Sequence, residues 1–131
     1  MRGEYQADTL MIDPKGYVRR TRADAWKGRP VVLKYYVYKD AIRNKFECVG
    51  DGSAYSMHFV IKMPKSWSKK KRDLMRLAPH QQKPDIDNLV KAVLDSMMVE
   101  DKQVYKITAD KHWGDAGSVT VRKLMVSNDN D

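Results

Sequence analysis

The residues best suited to chemistry stand in the stretch HQQKPDIDNLVKAVLDSMMVEDKQV, which begins at position 80. Asp85 and Asp87 lie two apart near its start, and Glu100 and Asp101 form an acidic pair near its end. Hard divalent cations such as Mg²⁺ prefer oxygen ligands, usually one or two carboxylates together with water and substrate phosphate. The four acidic side chains therefore predict a divalent metal site, in a chain otherwise dominated by Lys and Arg.

A predicted amphipathic helix lies between the two acidic pairs. Pro84 precedes Asp85, which stands where an N-cap is expected. Lys91 follows Asp87 by one helical turn, where it can stabilise the charge that develops on a phosphate during cleavage. The alternatives are that Asp85 only caps the helix and that Lys91 belongs to an ordinary charged network on a solvated face. Apolar residues at helical spacing form the other face: Ile86, Leu89, Val90, Val93, Leu94 and Met97.

The length of this helix limits how the carboxylates can meet. About 13 helical residues span roughly 20 Å at ~1.5 Å per residue, so Asp101 cannot reach Asp85 along the helix. The two can meet if the strand that begins near Gln103 runs back antiparallel beside the helix, or if a second chain supplies Asp101.

The charge of the chain indicates a polyanionic partner. The 131 residues include 25 Lys and Arg against 17 Asp and Glu, a formal net charge of +8. DNA or RNA is the expected partner of such a protein. Trp67, within the basic segment that precedes the acidic stretch, either stacks on an unpaired base or packs in the core. The predicted phosphate contacts are Arg19, Arg20, Lys65, Lys69, Lys70, Lys71, Arg72 and Lys83.

The sequence contains few signals for a disulfide framework, a zinc site, secretion or a membrane span. The single cysteine, Cys48, excludes an intrachain disulfide framework and a zinc site with several Cys ligands. The three histidines, His58, His80 and His112, are scattered without ligand spacing, so we expect surface or packing roles for them. No apolar run suits a signal peptide or the ~20 residues of a membrane span. We therefore expect a cytoplasmic protein without a membrane partner.

Four strands are predicted outside the acidic helix. ADTLMI is a short first strand, and AYSMHFVIKMP alternates with Tyr55, Met57, Phe59, Ile61 and Met63 on one face. QVYKITADKHW also alternates, with Tyr105, Ile107 and Ala109 on one side. The segment GDAG is a turn that joins it to SVTVRKLMV, so we expect these last two strands to form a hairpin.

Two further helices complete the expected fold. One runs from about Lys34 to about Phe46, and a short one follows Ser66 or Ser68 as its N-cap. The sum is an α/β (α+β) fold with a small mixed sheet and about three helices. We expect residues 1–131 to form a single domain whose tail, 126–131, frays.

The stretch KPDIDNLVKAVLDSM…EDKQV closely resembles the signature of RusA-type Holliday junction resolvases. That family shows an Asp-x-Asp-Asn-x-x-Lys run, a further Asp in the helix, and an acidic pair just before Gln-Val. The similarity extends more loosely to IKMPKSWSKKKR, ITADKHW and PKGYVRRTR, and so spans most of the chain. The matching residues are Asp85, Asp87, Asn88, Lys91, Asp95, Glu100, Asp101, Gln103 and Val104.

The resemblance implies a homodimeric, Mg²⁺-dependent endonuclease of bacteria and bacteriophages that cuts four-way DNA junctions in symmetric pairs, in recombination and repair. It implies that Asp85, Asp87 and Asp101 are the metal-binding catalytic carboxylates and that Lys91 is the catalytic lysine. Mn²⁺ is the alternative metal. The implied location is the cytoplasm of a bacterial or phage-infected cell.

Two other interpretations stay open. Pro84-Asp85 and Glu100-Asp101-Lys102 also fit the bare PD…(D/E)xK pattern of restriction-type nucleases, although in those folds the two pieces normally lie on neighbouring strands. The second interpretation is a non-catalytic basic domain that binds nucleic acid. Its acidic residues would then serve as helix caps and salt-bridge partners.

Overall fold

A four-stranded mixed sheet carries helices on one face. The computed structural model describes residues 6–19 and 29–124, without the side chains at positions 6, 7 and 101. Arg20 and the tail 126–131 lie outside the described residues. The elements are β1 (Gln6–Leu10), α1 (Pro30–Phe46), β2 (Ala54–Lys62), α2 (Lys69–Met75), α3 (Ile86–Ser96), β3 (Lys106–Gly114) and β4 (Ser118–Lys123), with 3₁₀ turns at Glu47–Val49 and Asp101–Gln103. The predicted mixed sheet with three helices is confirmed.

The strand order is β1-β4-β2-β3, and the expected hairpin between the last two strands is wrong. β2 lies between them, parallel to β3 and antiparallel to β4. Between Gly114 and Ser118 the chain crosses the end of β2, a step of two strand spacings or about 10 Å, within the reach of four residues. Gly114 permits this crossing, because a Cβ there would overlap Cγ1 of Val60.

The first helix begins earlier than the sequence predicts. α1 starts at Pro30, rather than near Lys34, and ends at Phe46 as expected. A proline in the first helical position needs no amide donor and already has a helical φ. The two valines that follow favour a strand locally, but Val32 is buried on the same face as Tyr35 and so joins the helix.

The strand β2 supplies the centre of the core. Tyr55, Met57 and Phe59 alternate along it and are at most 1% exposed, which confirms the predicted inward face. Intervening residues such as Ser56 and His58 are only partly buried.

The helix α3 packs on the core with the face that the sequence predicts. Leu89 and Val93 are fully buried, whereas Ile86, Val90 and Leu94 are partly buried. The core cluster also includes Tyr38, Ile42, Phe46, Val119 and Val121 from the neighbouring elements.

A tight turn ends α3 and reverses the chain. The amide of Met98 donates to the carbonyl of Asp95 (3.2 Å), and the amide of Val99 donates to that of Leu94 (3.1 Å). Met98 has a left-handed φ of 60°. This is a Schellman motif, which satisfies the last carbonyls and returns the chain alongside the helix.

The short helix α2 begins as predicted. The side chain of Ser68 accepts a hydrogen bond from the amide of Lys71 (3.1 Å), so Ser68 is the N-cap. None of the helices within the described ranges is long and apolar enough to cross a membrane.

We expect Leu89→Ala to lower the free energy of unfolding by about 2–5 kcal/mol, because it leaves a cavity where α3 meets the sheet. Leu74→Ala is the matched control, since Leu74 is 72% exposed on α2, and its change should stay within about 0.5 kcal/mol. Urea unfolding followed by circular dichroism measures both. Equal effects of the two substitutions would contradict this packing.

Candidate metal and nucleic-acid site

The first turn of α3 presents two carboxylates to solvent. Asp85 occupies the N-cap position, with φ −68° and ψ 146°, but its side chain makes no capping hydrogen bond. Asp87 is exposed, and its Oδ1 accepts from the amide of Asn88 (2.9 Å). Within the described part of the chain neither carboxylate forms an ion pair, so both retain oxygen atoms for a cation.

Both carboxylates line one open cleft of about 620 Å³. Lys111 also lines this cleft, and its Nζ donates to the carbonyls of Pro84 (2.6 Å) and Gln82. Burial lowers the pKa of Lys111, and the charge of Asp85 acts in the opposite direction. The other lining residues are His80, Gln81, Gln82, Lys83 and Ile86.

Lys111 is a site residue that the sequence analysis did not single out. β3 runs antiparallel to α3, so its later residues return to the start of the helix. The strand that follows Gln103 therefore brings Lys111 to the loop that carries Asp85. The ITADKHW segment contains this lysine, but only its pairing with β2 and its contact with Pro84 identify its place.

A second cleft, of about 520 Å³, is lined by later residues of α3 and by the segment that follows the helix. Lys91 and Glu100 both line it, and Nζ of Lys91 lies 4.4 Å from the ring centroid of Tyr17. The amide of Tyr17 donates to the carbonyl of Asn88 (3.1 Å), which fixes the N-terminal segment beside the helix. Lys91 is four residues after Asp87, an axial rise of about 6 Å.

The Schellman turn at the end of α3 leads directly into the acidic pair, Glu100 and Asp101. Glu100 lines the cleft of Lys91, and the backbone of Asp101 opens the following 3₁₀ turn. The side chain of Asp101 lies outside the described part of the structure. Nε2 of Gln103 donates to the carbonyl of Gly52 (2.8 Å), which ties this turn to the segment before β2.

The carboxylate of Asp95 is bound by two side chains of α1. Its Oδ2 accepts from Tyr35 Oη (3.0 Å) and pairs with Nζ of Lys39 (3.0 Å). Burial, with the charge of Asp95, raises the pKa of Tyr35 well above its ordinary value. These contacts fasten α3 to α1.

The predicted basic residues that the structure describes fall into three groups. Lys69 and Lys70 are exposed on α2 and form no ion pair with any described residue. Lys71 stacks over the ring of Trp67 at 4.3 Å, and Arg72 donates to the carbonyl of Pro64 (3.2 Å), so both are partly engaged. Arg19, Lys65 and Lys83 are exposed at other positions.

Trp67 packs against protein. Its ring centroid lies 4.7 Å from that of Trp113, which is 4% exposed, and the ring of His80 covers Trp113 at 4.4 Å. Of the two alternatives for Trp67, this contact favours the packing role.

Two of the histidines, although scattered in the sequence, lie close together in the fold. His58 on β2 and His112 on β3 approach with ring centroids 5.3 Å apart. The parallel pairing of their strands brings them together, and it joins residues too distant in sequence for spacing to reveal.

The restriction-type pattern is not supported by this arrangement. Asp85 begins a helix and Glu100 follows the same helix, so the two pieces do not lie on neighbouring strands.

Comparison with known proteins places the chain in a family. A family model described as endodeoxyribonuclease RusA matches residues 31–122, which include the carboxylates of α3, Lys91 and the acidic pair. None of the curated proteins matches the chain. Because the family match covers well over half of the 131 residues, the chain belongs to the RusA family of endodeoxyribonucleases, the Holliday junction resolvases.

Proposed function

We propose that this protein cuts four-way DNA junctions by Mg²⁺-dependent hydrolysis, with paired symmetric cuts made by a homodimer. The observation that carries the proposal is the pair of exposed carboxylates, Asp85 and Asp87, in an open cleft of a chain whose net charge is +8. An exposed acidic pair in a DNA-binding protein repels phosphate unless a cation lies between them.

We assign Asp85, Asp87 and Asp101 as the metal ligands. Carboxylates without an ion-pair partner suit a hard cation such as Mg²⁺, with Mn²⁺ as the alternative. Such an ion supplies Lewis-acid activation of water and offsets charge on the phosphate. Lys91, one turn from Asp87, adds positive charge beside the scissile phosphate, and Lys111 holds the loop that carries Asp85.

The return of the chain after α3 supports a site built within one subunit. Glu100 shares a cleft with Lys91, and Lys91 is separated from Asp87 by one helical turn of about 6 Å. Asp101 follows Glu100 directly. We therefore assign Asp101 to the site of its own subunit, beside Asp87 and Lys91.

A homodimer suits the substrate. A four-way junction has near two-fold symmetry, and a two-fold protein presents two identical sites to its opposed strands. The exposed lysines of α2 supply contacts to the phosphate backbone, which give affinity without sequence preference.

We expect Asp85→Asn to reduce cutting of a labelled junction by at least about 100-fold, since it removes a metal ligand. Junction binding should be unchanged or tighter, because the substitution removes a negative charge that faces phosphate. Asp51→Asn is the control: Asp51 is exposed, pairs with Lys123 (2.9 Å) and lies outside both clefts. Full-rate cutting by the Asp85 variant would refute the assignment.

Mixing two inactive variants tests how the site is built. When Asp85→Asn and Asp101→Asn chains are unfolded together and refolded, every site of a mixed dimer lacks one carboxylate if each site belongs to one chain. We therefore expect no recovery of nicking. A site shared between chains would leave one intact site per mixed dimer, and nicking would return. That result would contradict the one-chain site.

The lysines of α2 can be tested by salt dependence. Lys69→Ala combined with Lys70→Ala should weaken junction binding and reduce the slope of log affinity against log salt by roughly 0.9 for each phosphate that the protein no longer neutralises. Lys45→Ala is the control, because Lys45 already pairs with Asp8 (3.3 Å). An unchanged slope in the double variant would show that α2 does not contact DNA.

A further inference from the structure

The face of the sheet that lies away from the core carries a cluster of metal-ligating side chains. His58 on β2 is directly opposite Asp110 on β3 in the strand register. His112 lies two residues after Asp110 and therefore projects to the same face. The inward residues of β2, Tyr55, Met57 and Phe59, occupy the other face.

The three ligand atoms are already gathered. Nδ1 of His58 contacts Oδ1 of Asp110, and Nδ1 of His112 lies 3.7 Å from the same oxygen. Each of the three side chains offers a ligand atom, a ring nitrogen or a carboxylate oxygen, and these atoms lie within 4.8 Å of one another. A tetrahedral zinc ion with bonds of about 2.0–2.2 Å places its ligand atoms roughly 3.4 Å apart, so only small side-chain rotations are needed.

An unpaired atom also points to a ligand. Nδ1 of His112 is buried and has no hydrogen-bond partner among the described residues. Buried polar atoms are nearly always paired, and one without a partner is unfavourable. A metal ion held with His58 and Asp110 would satisfy this nitrogen.

We propose that His58, Asp110 and His112 form a second metal site, which takes Zn²⁺ or a similar transition-metal ion and keeps an open position for water. Two imidazoles and one carboxylate suit Zn²⁺, Co²⁺ and Ni²⁺ far better than Mg²⁺. The site is separate from the Asp85 cleft, because Lys111 projects from the other face of β3 toward that cleft. The proposal does not depend on the nuclease mechanism.

Binding here would join the two strands that flank the helical crossover. His58 and Asp110 are 52 residues apart in sequence, and the chain between them carries α2 and α3. An ion bound to both would hold β2 against β3 at the edge of the sheet and stabilise the folded protein by linkage. We therefore expect Zn²⁺ to raise the melting temperature even without DNA.

The test is a titration of untagged, chelator-treated protein with Zn²⁺ by calorimetry and with Co²⁺ by visible absorption, both in millimolar Mg²⁺. We expect one equivalent per chain, with the visible bands of nitrogen-ligated Co²⁺. His58→Gln and His112→Gln should each weaken binding more than tenfold and remove the rise in melting temperature. The double variant Asp85→Asn/Asp87→Asn is the matched control and should bind as the parent does.

Several results would overturn the proposal. One is the absence of stoichiometric binding by the parent, which would leave only a hydrogen-bonded His–Asp pair. Another is undiminished binding by the His58 variant, which is the more exposed of the two histidines and the safer to replace. A third is loss of binding in the Asp85/Asp87 variant, which would assign the transition metal to the cleft on α3.

Discussion

The parallel pairing of β2 with β3 is the constraint from which the rest of the structure follows. Parallel neighbours cannot be joined by a short turn, so the chain from Met63 to Tyr105 must cross over. That crossover contains α3, and Asp85 and Asp87 lie at the start of this helix. Because β3 then runs antiparallel to α3, Lys111 reaches the carbonyls beside Asp85. The pairing thus sets both the core and the cleft.

The helix α3 separates a structural face from a chemical one. Leu89 and Val93 are fully buried, and Asp95 is held by Tyr35 and Lys39 of α1. On the exposed face, neither Asp87 nor Lys91 forms an ion pair with a residue that the structure describes. A rigid helix fixed on its buried side is a suitable support for the groups that we propose to bind a metal and a phosphate in a defined geometry.

Local periodicity accounts for what the sequence could predict. The apolar face of α3, the alternation of β2 and the Ser68 cap depend on neighbours within a few residues, and all were predictable. The pairing of strands was not, because the short GDAG segment favours a hairpin while the observed order inserts β2 between β3 and β4. The contacts that stabilise β2 between β3 and β4 are made by residues distant in sequence.

The candidate site, like the fold, was only partly predictable from the sequence. The spacing of Asp85, Asp87 and Lys91 on one helix is visible in the sequence, because a helix has a fixed rise. Lys111 and the approach of His58 to His112 depend on the strand register across a crossover of more than forty residues. No spacing rule within the chain could have placed them together.

The measurement that tests the central claim most directly is cleavage of a labelled four-way junction beside a linear duplex of the same sequence. Both are incubated with Mg²⁺ or with chelator, and the cuts are mapped on each strand. A metal site for junction cutting predicts symmetric cuts on opposed strands of the junction, dependent on Mg²⁺ and absent from the duplex. Cutting that persists in chelator, or that affects duplex equally, would contradict it.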